Sequence, residues 1–572
     1  MYTLDKIKQH IIDLINKEFG KEIVDLSDLS YPPNSEFGDL SLPCFKPAKE
    51  LKKSPVEVAE DLFKQIKSDD LISGIKTAGP YLNFFINKNF LVKNVLSETI
   101  DSAQDYGKNS ELEDQRIMIE FAHPNPFKSF HIGHLRNIVL GESLVRIFEA
   151  HGAKVIRVNY QGDVGMHIAK CLWSFKEISS AEYPKTSDEK VALLGKCYVE
   201  GAKAFEESDV ACAMIKAINK QIYIGKDIEI KKLWEIGKNW SLEKFHEIYD
   251  RVYSRFDREY MESEVMEDGV KFVQEAVEKG ILEESEGAII FNGKPYNLDT
   301  RVFLNSEGLP TYEGKELGLA FREFTDFGKI DFCIHNVAVE QLSFFKVTFK
   351  VQELLNPELF KGKQYHNAYE FVGLKKGKMS SRKGEVVLGN DILNEAVEKI
   401  QEIIKERSGL KEINETAEKV GVGAVKYAFL KISPFKYLAF DMEECVNFEG
   451  DSGPYIQYTF VRIQSILRKL NIKDFQSKFK PEELLGDKEK KLILKLAKYP
   501  DIIKNAKQNY DPSEIAKYLF ELAKLFNDYY HSVPVIESKK ETQEARIVLI
   551  QSVGRVIKNS LEILGIKTVE KM

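Results

Sequence analysis

Two histidines three positions apart, His131 and His134, with Gly133 between them, are the residues here whose types and spacing most directly suggest chemistry. In the first turn of a helix that spacing puts both imidazoles on one face. The turn's free N–H groups and the positive end of the helix dipole lie beside them, so together they form a donor cluster suited to phosphate oxygens. Gly133 has no side chain to keep a flat base or a ribose from the backbone. A second stretch lies far downstream, Gly-Leu-Lys-Lys-Gly-Lys-Met-Ser-Ser-Arg-Lys-Gly from Gly373 to Gly384, and it is basic and punctuated by glycine. Taken singly, these are two histidines on a helix and a solvated surface loop.

The elements that must position them are legible in the pattern. Ile117, Met118, Ile119 and Phe121 read as a buried strand, and a Pro-broken loop follows from His123 to Ser129. Apolar residues at helical spacing (Leu135, Ile138, Val139, Val145, Phe148) then run to Gly152, and Lys154 to Val158 gives a second buried run. This strand, helix, strand order predicts a parallel sheet. Ligands of such sheets sit beyond the carboxyl ends of the strands, so the loop from Pro124 to His134 is where a nucleotide is expected. The loop Asn159 to Ile168, with two glycines, closes the next strand at the same end.

A His-Ile-Gly-His helix start followed much later by Lys-Met-Ser-Ser-Arg resembles the paired ATP signatures of class I aminoacyl-tRNA synthetases. Three further stretches, Ser35 to Pro43, Asp451 to Arg468 and Phe526 to Val535, resemble the arginyl-tRNA synthetases in particular. The resemblance implies a multidomain α/β chain: a Rossmann-type parallel-sheet catalytic domain with a helical insertion, a small α+β N-terminal domain and a C-terminal all-α bundle. It also implies ATP as substrate with Mg²⁺ accompanying it, L-arginine and tRNA(Arg) as partners, and an arginyl-adenylate intermediate. ATP contacts then fall on Pro124, His131, Gly133, His134, Lys378, Met379, Ser380, Ser381 and Arg382. Arginine contacts fall on Glu120, Asn125, Tyr312, Glu316 and Gln341. The chemistry agrees, since a guanidinium carries five donors and no acceptor and needs carboxylates and amide or hydroxyl oxygens around it.

Two departures from the family pattern stand out. Glu316 occupies a position usually held by Asp, and Ser381 stands where the general signature has its second lysine. Lys128, three residues ahead of His131, is the expected substitute, with Arg382 the alternative, so the catalytic set is His131, His134, Lys128 and Lys378. No protein nucleophile is required. Catalysis would come from positioning and from stabilising charge on the phosphates, with activation of arginine requiring bound tRNA.

Composition bounds the remainder. At 572 residues several domains are expected, here 1–110, 111–395 with the insertion at about 171–286 and the sheet resuming with the apolar runs Gly287–Phe291 and Thr300–Leu304, a helical connection 396–450, and 451–572. A net charge of −7 means that nucleic acid must be met by local basic patches and not by the overall field. The six cysteines (44, 171, 197, 212, 333, 445) include no C-x-x-C pair, which argues for reduced intracellular thiols and against zinc. No apolar run reaches a membrane span, and the acidic residues of the first helix argue against a transit peptide. The expectation is a cytoplasmic monomer without a protein-held metal. A small-molecule nucleotidyltransferase would lack the helical tail, and a non-catalytic relative would have lost the histidines or the Lys378 loop. A metallohydrolase using His131, His134 and His167 has poor ligand spacing.

Overall fold

The computed structural model describes residues 1–34, 36–375, 387–407, 413–472 and 478–572. At the N-terminus, α1 (Thr3–Phe19), α2 (Phe45–Leu51) and α3 (Pro55–Gln65) surround an antiparallel sheet of β1 (Leu40–Pro43), β2 (Ile72–Ala78) and β3 (Tyr81–Ile86), in the order β1-β3-β2. Helix α1 buries Leu4, Ile7, Ile11, Ile12 and Ile15, the stripe its sequence spacing requires. Helix α3 starts on a reciprocal cap in which the Ser54 hydroxyl accepts from Glu57 N–H and Glu57 accepts from Ser54 N–H, with Pro55 at the first position. Helix α4 (Lys88–Ser102) leads out of this unit.

The central sheet is parallel throughout. Its strands are β4 (Arg116–Glu120), β5 (Lys154–Gln161), β6 (Arg258–Met261), β10 (Phe332–His335) and β11 (Gln364–His366), in the order β11-β10-β4-β5-β6. Strand β4 is central, and the chain winds outward from it first through β5 and β6, then on the other side through β10 and β11. The reversal between β4 and β10 is a topological switch point, and Glu120 and His335, the last residues of the two strands, are register partners there. Helix α5 (Ile132–Ala150) lies against the sheet so closely that a Cβ at Gly141 would come 2.3 Å from the Phe121 ring.

Two parts of the span expected to be a helical insertion differ. Helices α6 (Met166–Phe175), α7 (Ser187–Glu207), α8 (Asp209–Ile224) and α9 (Ile228–Arg251) are helical as expected, but β6 follows within that span and completes the central sheet. As a four-residue edge strand containing Arg258 and Glu259 it needs no apolar run, so no strand pattern shows in its sequence. After α10 (Glu262–Glu278), the runs at Gly287–Phe291 and Thr300–Leu304 do not resume the central sheet. They form β8 (Ala288–Phe291) and β9 (Arg301–Leu304), which with β7 (Glu283–Ser285) make a separate antiparallel sheet. Helices α11 (Tyr312–Phe327), α12 (Leu342–Leu355) and α13 (Pro357–Phe360) then bracket β10.

Strand β12 (Val372–Leu374) follows β11, and beyond residues 376–386 the chain is helical through α14 (Gly389–Arg407) and α15 (Ile413–Leu430). Strand β13 (Leu438–Phe440) returns to pair with β12, fixing the upstream end of the basic stretch. Short α16 (Met442–Cys445) precedes the terminal bundle of α17 (Gly453–Lys469), α18 (Asp487–Ala497), α19 (Tyr499–Gln508), α20 (Ser513–Ser532) and α21 (Lys540–Ile563). The N-terminal unit docks on this bundle: Asp39 receives Lys490 at 2.9 Å, Lys8 pairs with Asp501, and the Tyr106 and Tyr499 rings stack. Among the described residues, no helix is long and apolar enough to cross a membrane.

Candidate active site at the sheet switch point

The loop after β4 is held in an unfavourable backbone form. Ala122, His123 and Phe127 all have positive φ (81°, 52° and 65°), which costs roughly 1–3 kcal/mol each for residues with a side chain. Side-chain oxygens offset this: Asn137 accepts from Ala122 N–H at 2.8 Å, Asn159 from His123 N–H at 3.0 Å and Ser241 from Phe127 N–H at 2.9 Å. Asn336, just past β10, donates back to the Asn137 carbonyl at 3.2 Å, so the two strand ends at the switch point are tied together. Strain sustained by three separate elements marks a loop whose shape matters.

His131 is the N-cap of α5 and His134 stands at its third position. Nδ1 of His131 accepts from the N–H groups of Gly133 and His134 at 3.1 and 3.4 Å, and Nδ1 of His134 accepts from His131 N–H at 3.2 Å. The rings stack at 3.7 Å between centroids. These N–H groups are thus already taken by the histidines, a correction to the expectation that they are free for phosphate. The consequence is tautomeric. With both Nδ1 atoms accepting, each neutral ring must carry its proton on Nε2, and two Nε2–H donors are presented instead. Burial, and then the charge of Lys128, holds His131 down at about 4. Burial also keeps His134 well below the usual histidine range, so both rings are neutral near pH 7. Gly133 is required by the cap itself, because a Cβ there would come 2.9 Å from His131 Cε1.

Residues 376–386, and with them Lys378, Met379, Ser380, Ser381 and Arg382, lie outside the described residues. Their downstream flank does not. Ile132 N–H donates to the Val387 carbonyl at 3.0 Å, Gly389 N–H donates to the Phe130 carbonyl at 2.8 Å, and His131 and Leu388 form an antiparallel bridge. The segment that follows the basic stretch, Val387 to Gly389, is therefore hydrogen-bonded to the histidine motif. Lys128, half-buried beside it, has its ammonium pulled below the ordinary lysine range by burial, with Glu262 the charge opposing that shift.

Behind the loop is an acidic chamber. Glu120, Glu316 and Glu323 are at most 3% exposed and His335 is fully buried. Glu120 Oε2, Glu316 Oε1 and Glu323 Oε1 have no hydrogen-bond partner. His335 Nδ1 lies 3.3 Å from Glu120 Oε2 and its Nε2 lies 2.6 Å from Gln364 Oε1. Burial, then the Glu120 charge, pushes Glu316 up to about 8. The same two causes raise Glu323 well above the carboxylate range. Burial opposes ionisation of Glu120 too, but His335 outweighs it and holds this carboxyl below its ordinary value.

The remaining predicted residues lie in the loop after β4, at the start of α11 and at the turn before α12. Asn125 accepts from Gly162 N–H at 2.8 Å, which orients its amide with the NH₂ free to donate. Pro124 is buried in the loop ahead of it. Tyr312 opens α11 and is 68% exposed, with Lys315 over its ring, so it is a rim residue. Gln341 is half-buried at the turn before α12. Glu323, His335, Asn336 and the Glu262–Lys315 ion pair were not anticipated from the sequence. The one signal was spacing: Glu316 and Glu323 are seven apart on a helix and share a face. Among the described residues no group of three or more His, Cys, Asp or Glu is placed to hold a metal ion.

Comparison with known proteins places these features. Residues 92–442 match a family model described as the class I tRNA synthetase (R) catalytic domain, residues 5–86 the arginyl tRNA synthetase N-terminal domain, and residues 456–572 the DALR anticodon-binding domain. An arginine--tRNA ligase of Halothermothrix orenii is 35% identical over 99% of both chains, and one of Treponema denticola is 33% identical over 95% of both. The solved arginyl-tRNA synthetase of Thermus thermophilus, 24% identical, has the same fold, with a TM-score of 0.82 over 99% of this chain and 100% of that one.

Proposed function

We propose the roles below from one premise: the chain belongs to the arginyl-tRNA synthetase family of class I aminoacyl-tRNA synthetases. It charges tRNA(Arg) with L-arginine at the expense of ATP. The arginine carboxylate attacks the α-phosphate in line, giving arginyl-adenylate and diphosphate, and the arginyl group then passes to the terminal ribose of the tRNA.

The observation that supports the division of labour is the backbone pairing of Phe130–Ile132 with Val387–Gly389, which ties the segment just past the basic stretch to the histidine motif. The Nε2–H donors of His131 and His134 are assigned to the α-phosphate side. As neutral donors they can stabilise charge growing in the transition state without gripping the ground state as tightly as a cation would. Positive charge is assigned to Lys128 on the near side and to Lys378, with Met379, Ser380, Ser381 and Arg382, on the diphosphate. Pro124 and Gly133 bound the space for the adenosine. Mg²⁺ is proposed to arrive with ATP and is given no protein ligand.

For arginine, Glu120 and Glu316 are assigned to the guanidinium, whose donors match their unpartnered oxygens. Because the Asn125 oxygen is occupied by Gly162, its NH₂ is assigned to the substrate's carboxylate end. Tyr312 and Gln341 close the mouth. The longer Glu316 fits because it projects from α11 into the chamber and not onto its rim. Monomeric state and cytoplasmic location belong to the same reading. The test is ATP–diphosphate exchange across the amino acids, with and without tRNA. Exchange with arginine alone, dependent on tRNA, is expected; preference for lysine or glutamine would overturn the assignment.

A further inference from the structure

Three carboxyl groups and one imidazole, all buried, share the chamber beneath the mouth. Glu120 ends β4, His335 ends β10 beside it, and Glu316 and Glu323 reach in from α11. Three buried carboxylates beside one imidazolium would leave an uncompensated charge deep in the protein, which is costly enough that protons are taken up instead. His335 faces an acceptor on each side, Gln364 Oε1 at 2.6 Å and Glu120 Oε2 at 3.3 Å. Gln364 is fixed in that sense because its own NH₂ donates to Gln352. Nε2 faces the Gln364 oxygen, and the Glu120 carboxylate at ion-pair distance from Nδ1 favours a second proton on the ring, so the ring is an imidazolium whose charge is matched by Glu120.

We propose that His335 and Glu323 are positioning residues for arginine: they keep Glu120 ionised, and the Glu120 charge in this buried setting keeps Glu316 protonated in the empty site, so that the entering guanidinium displaces one proton from Glu316. This rests on the arginine reading above and extends it to residues that do not line the mouth. The step balances. The Glu316 O–H bond breaks, the proton passes to solvent, and the new carboxylate pairs with the guanidinium, so the chamber is neutral before and after. The groups facing Glu316 are Glu120 from β4, His335 from β10, Glu313 and Glu323 from its own helix, and the buried, unpartnered Tyr160 hydroxyl from β5. His123 stands on the far side of Glu120, at 3.7 Å. Cys333 also touches His335, but burial pushes its thiol up to about 12, so it is neutral and the imidazolium's support comes from Glu120.

The order of ionisation follows from the directions already given. Burial and the Glu120 charge raise both Glu316, to about 8, and Glu323, and Glu316 is the one that yields to an incoming cation because its unpartnered oxygen is the one assigned to the guanidinium. Arginine's guanidinium and carboxyl groups do not titrate between pH 6 and 8. Binding favours the ionised form of a group protonated below about 8, so affinity must fall as pH falls.

Calorimetric titration of the full chain with L-arginine tests this, in two buffers of different ionisation enthalpy. At pH 7 about one proton per arginine should be released, and Kd should fall about tenfold per pH unit between pH 6 and 8 and then level. Glu323→Leu removes the neutral acid whose hydrogen bond supports the Glu120 carboxylate, so Glu120 is harder to ionise in the empty site and proton release at pH 7 should rise above that of the parent. His335→Gln removes the cation, so release should rise above that of the parent and binding at pH 6 should weaken most. A role confined to packing would change affinity equally at every pH. Buffer-independent heat in the parent, or variants whose pH profiles parallel it, would overturn the inference while leaving arginine charging intact. No arginine heat, with another amino acid charged instead, would overturn both.

Discussion

At the scale of single residues, the histidine pair acts through a tautomer and not through charge. Because His131 sits at about 4 and His134 is also held low by burial, neither changes state between pH 5 and 8. Single-turnover adenylation at saturating substrates should therefore show no inflection near the ordinary histidine pKa, and should fall only when acid protonates the rings and breaks the Nδ1 caps. An inflection near 6.5, removed by His131→Asn, would contradict this. On the proposed assignment of Lys128 as the cation the second signature position lacks, Lys128→Ala should slow diphosphate exchange roughly 100-fold or more with little change in arginine KM. An unaltered exchange rate would return that role to Arg382. The pair and its loop were legible from residue type and spacing. His335 and Glu323 were not, because their chemistry depends on β10 and α11 meeting β4, contacts that no local pattern records. The expectation of free N–H groups at the helix start failed for a related reason: a histidine can cap its own helix.

At the scale of elements, the site depends on two backbone turns meeting without side chains between them. A Cβ on Gly162 would come 2.7 Å from Asn125 Oδ1 and 3.2 Å from Glu262 Oε1, so Gly162→Ala must displace the Asn125 side-chain amide or Glu262, the partner of Lys315. Displacement of about 1 Å in a reacting group typically costs on the order of 100-fold. The expected result is a comparable fall in kcat/KM for arginine, with the melting temperature little changed and ATP KM unaffected. Loss of ATP affinity instead would place Asn125 on the nucleotide. The strand, helix, strand unit around this turn was readable because β4 and β5 are buried on both faces and α5 is apolar along its length. Strand β6 was hidden since an edge strand needs little apolar sequence, and β8 and β9 misled because a buried apolar run looks alike in a parallel sheet and in an antiparallel one.

At the scale of the whole molecule, the N-terminal unit is clamped to the C-terminal bundle by a buried contact that also closes its own sheet. Asp39 Oδ2 accepts from Ile86 N–H and from Lys490 Nζ, both at 2.9 Å, and its side chain is fully enclosed. The segment containing it resembled the family's N-terminal domain in sequence, but nothing in the sequence pointed to its partner hundreds of residues away. Asp39→Ala leaves the Lys490 ammonium without its carboxylate and Ile86 N–H without an acceptor, a loss of about 3–5 kcal/mol for a broken buried pair. The Lys490 side chain is 18% exposed and can turn to water, so Lys490→Met should cost less, and the double variant should cost less than the sum of the two. Urea unfolding of the four proteins measures this. Function provides the second readout. If the clamp fixes the distance between the two terminal units, Asp39→Ala should raise the KM for tRNA while diphosphate exchange at saturating tRNA stays near the parent rate. A fall in saturated exchange with tRNA KM unchanged would instead mean that the contact supports the catalytic sheet. Additive stabilities would mean that Asp39 serves Ile86 alone.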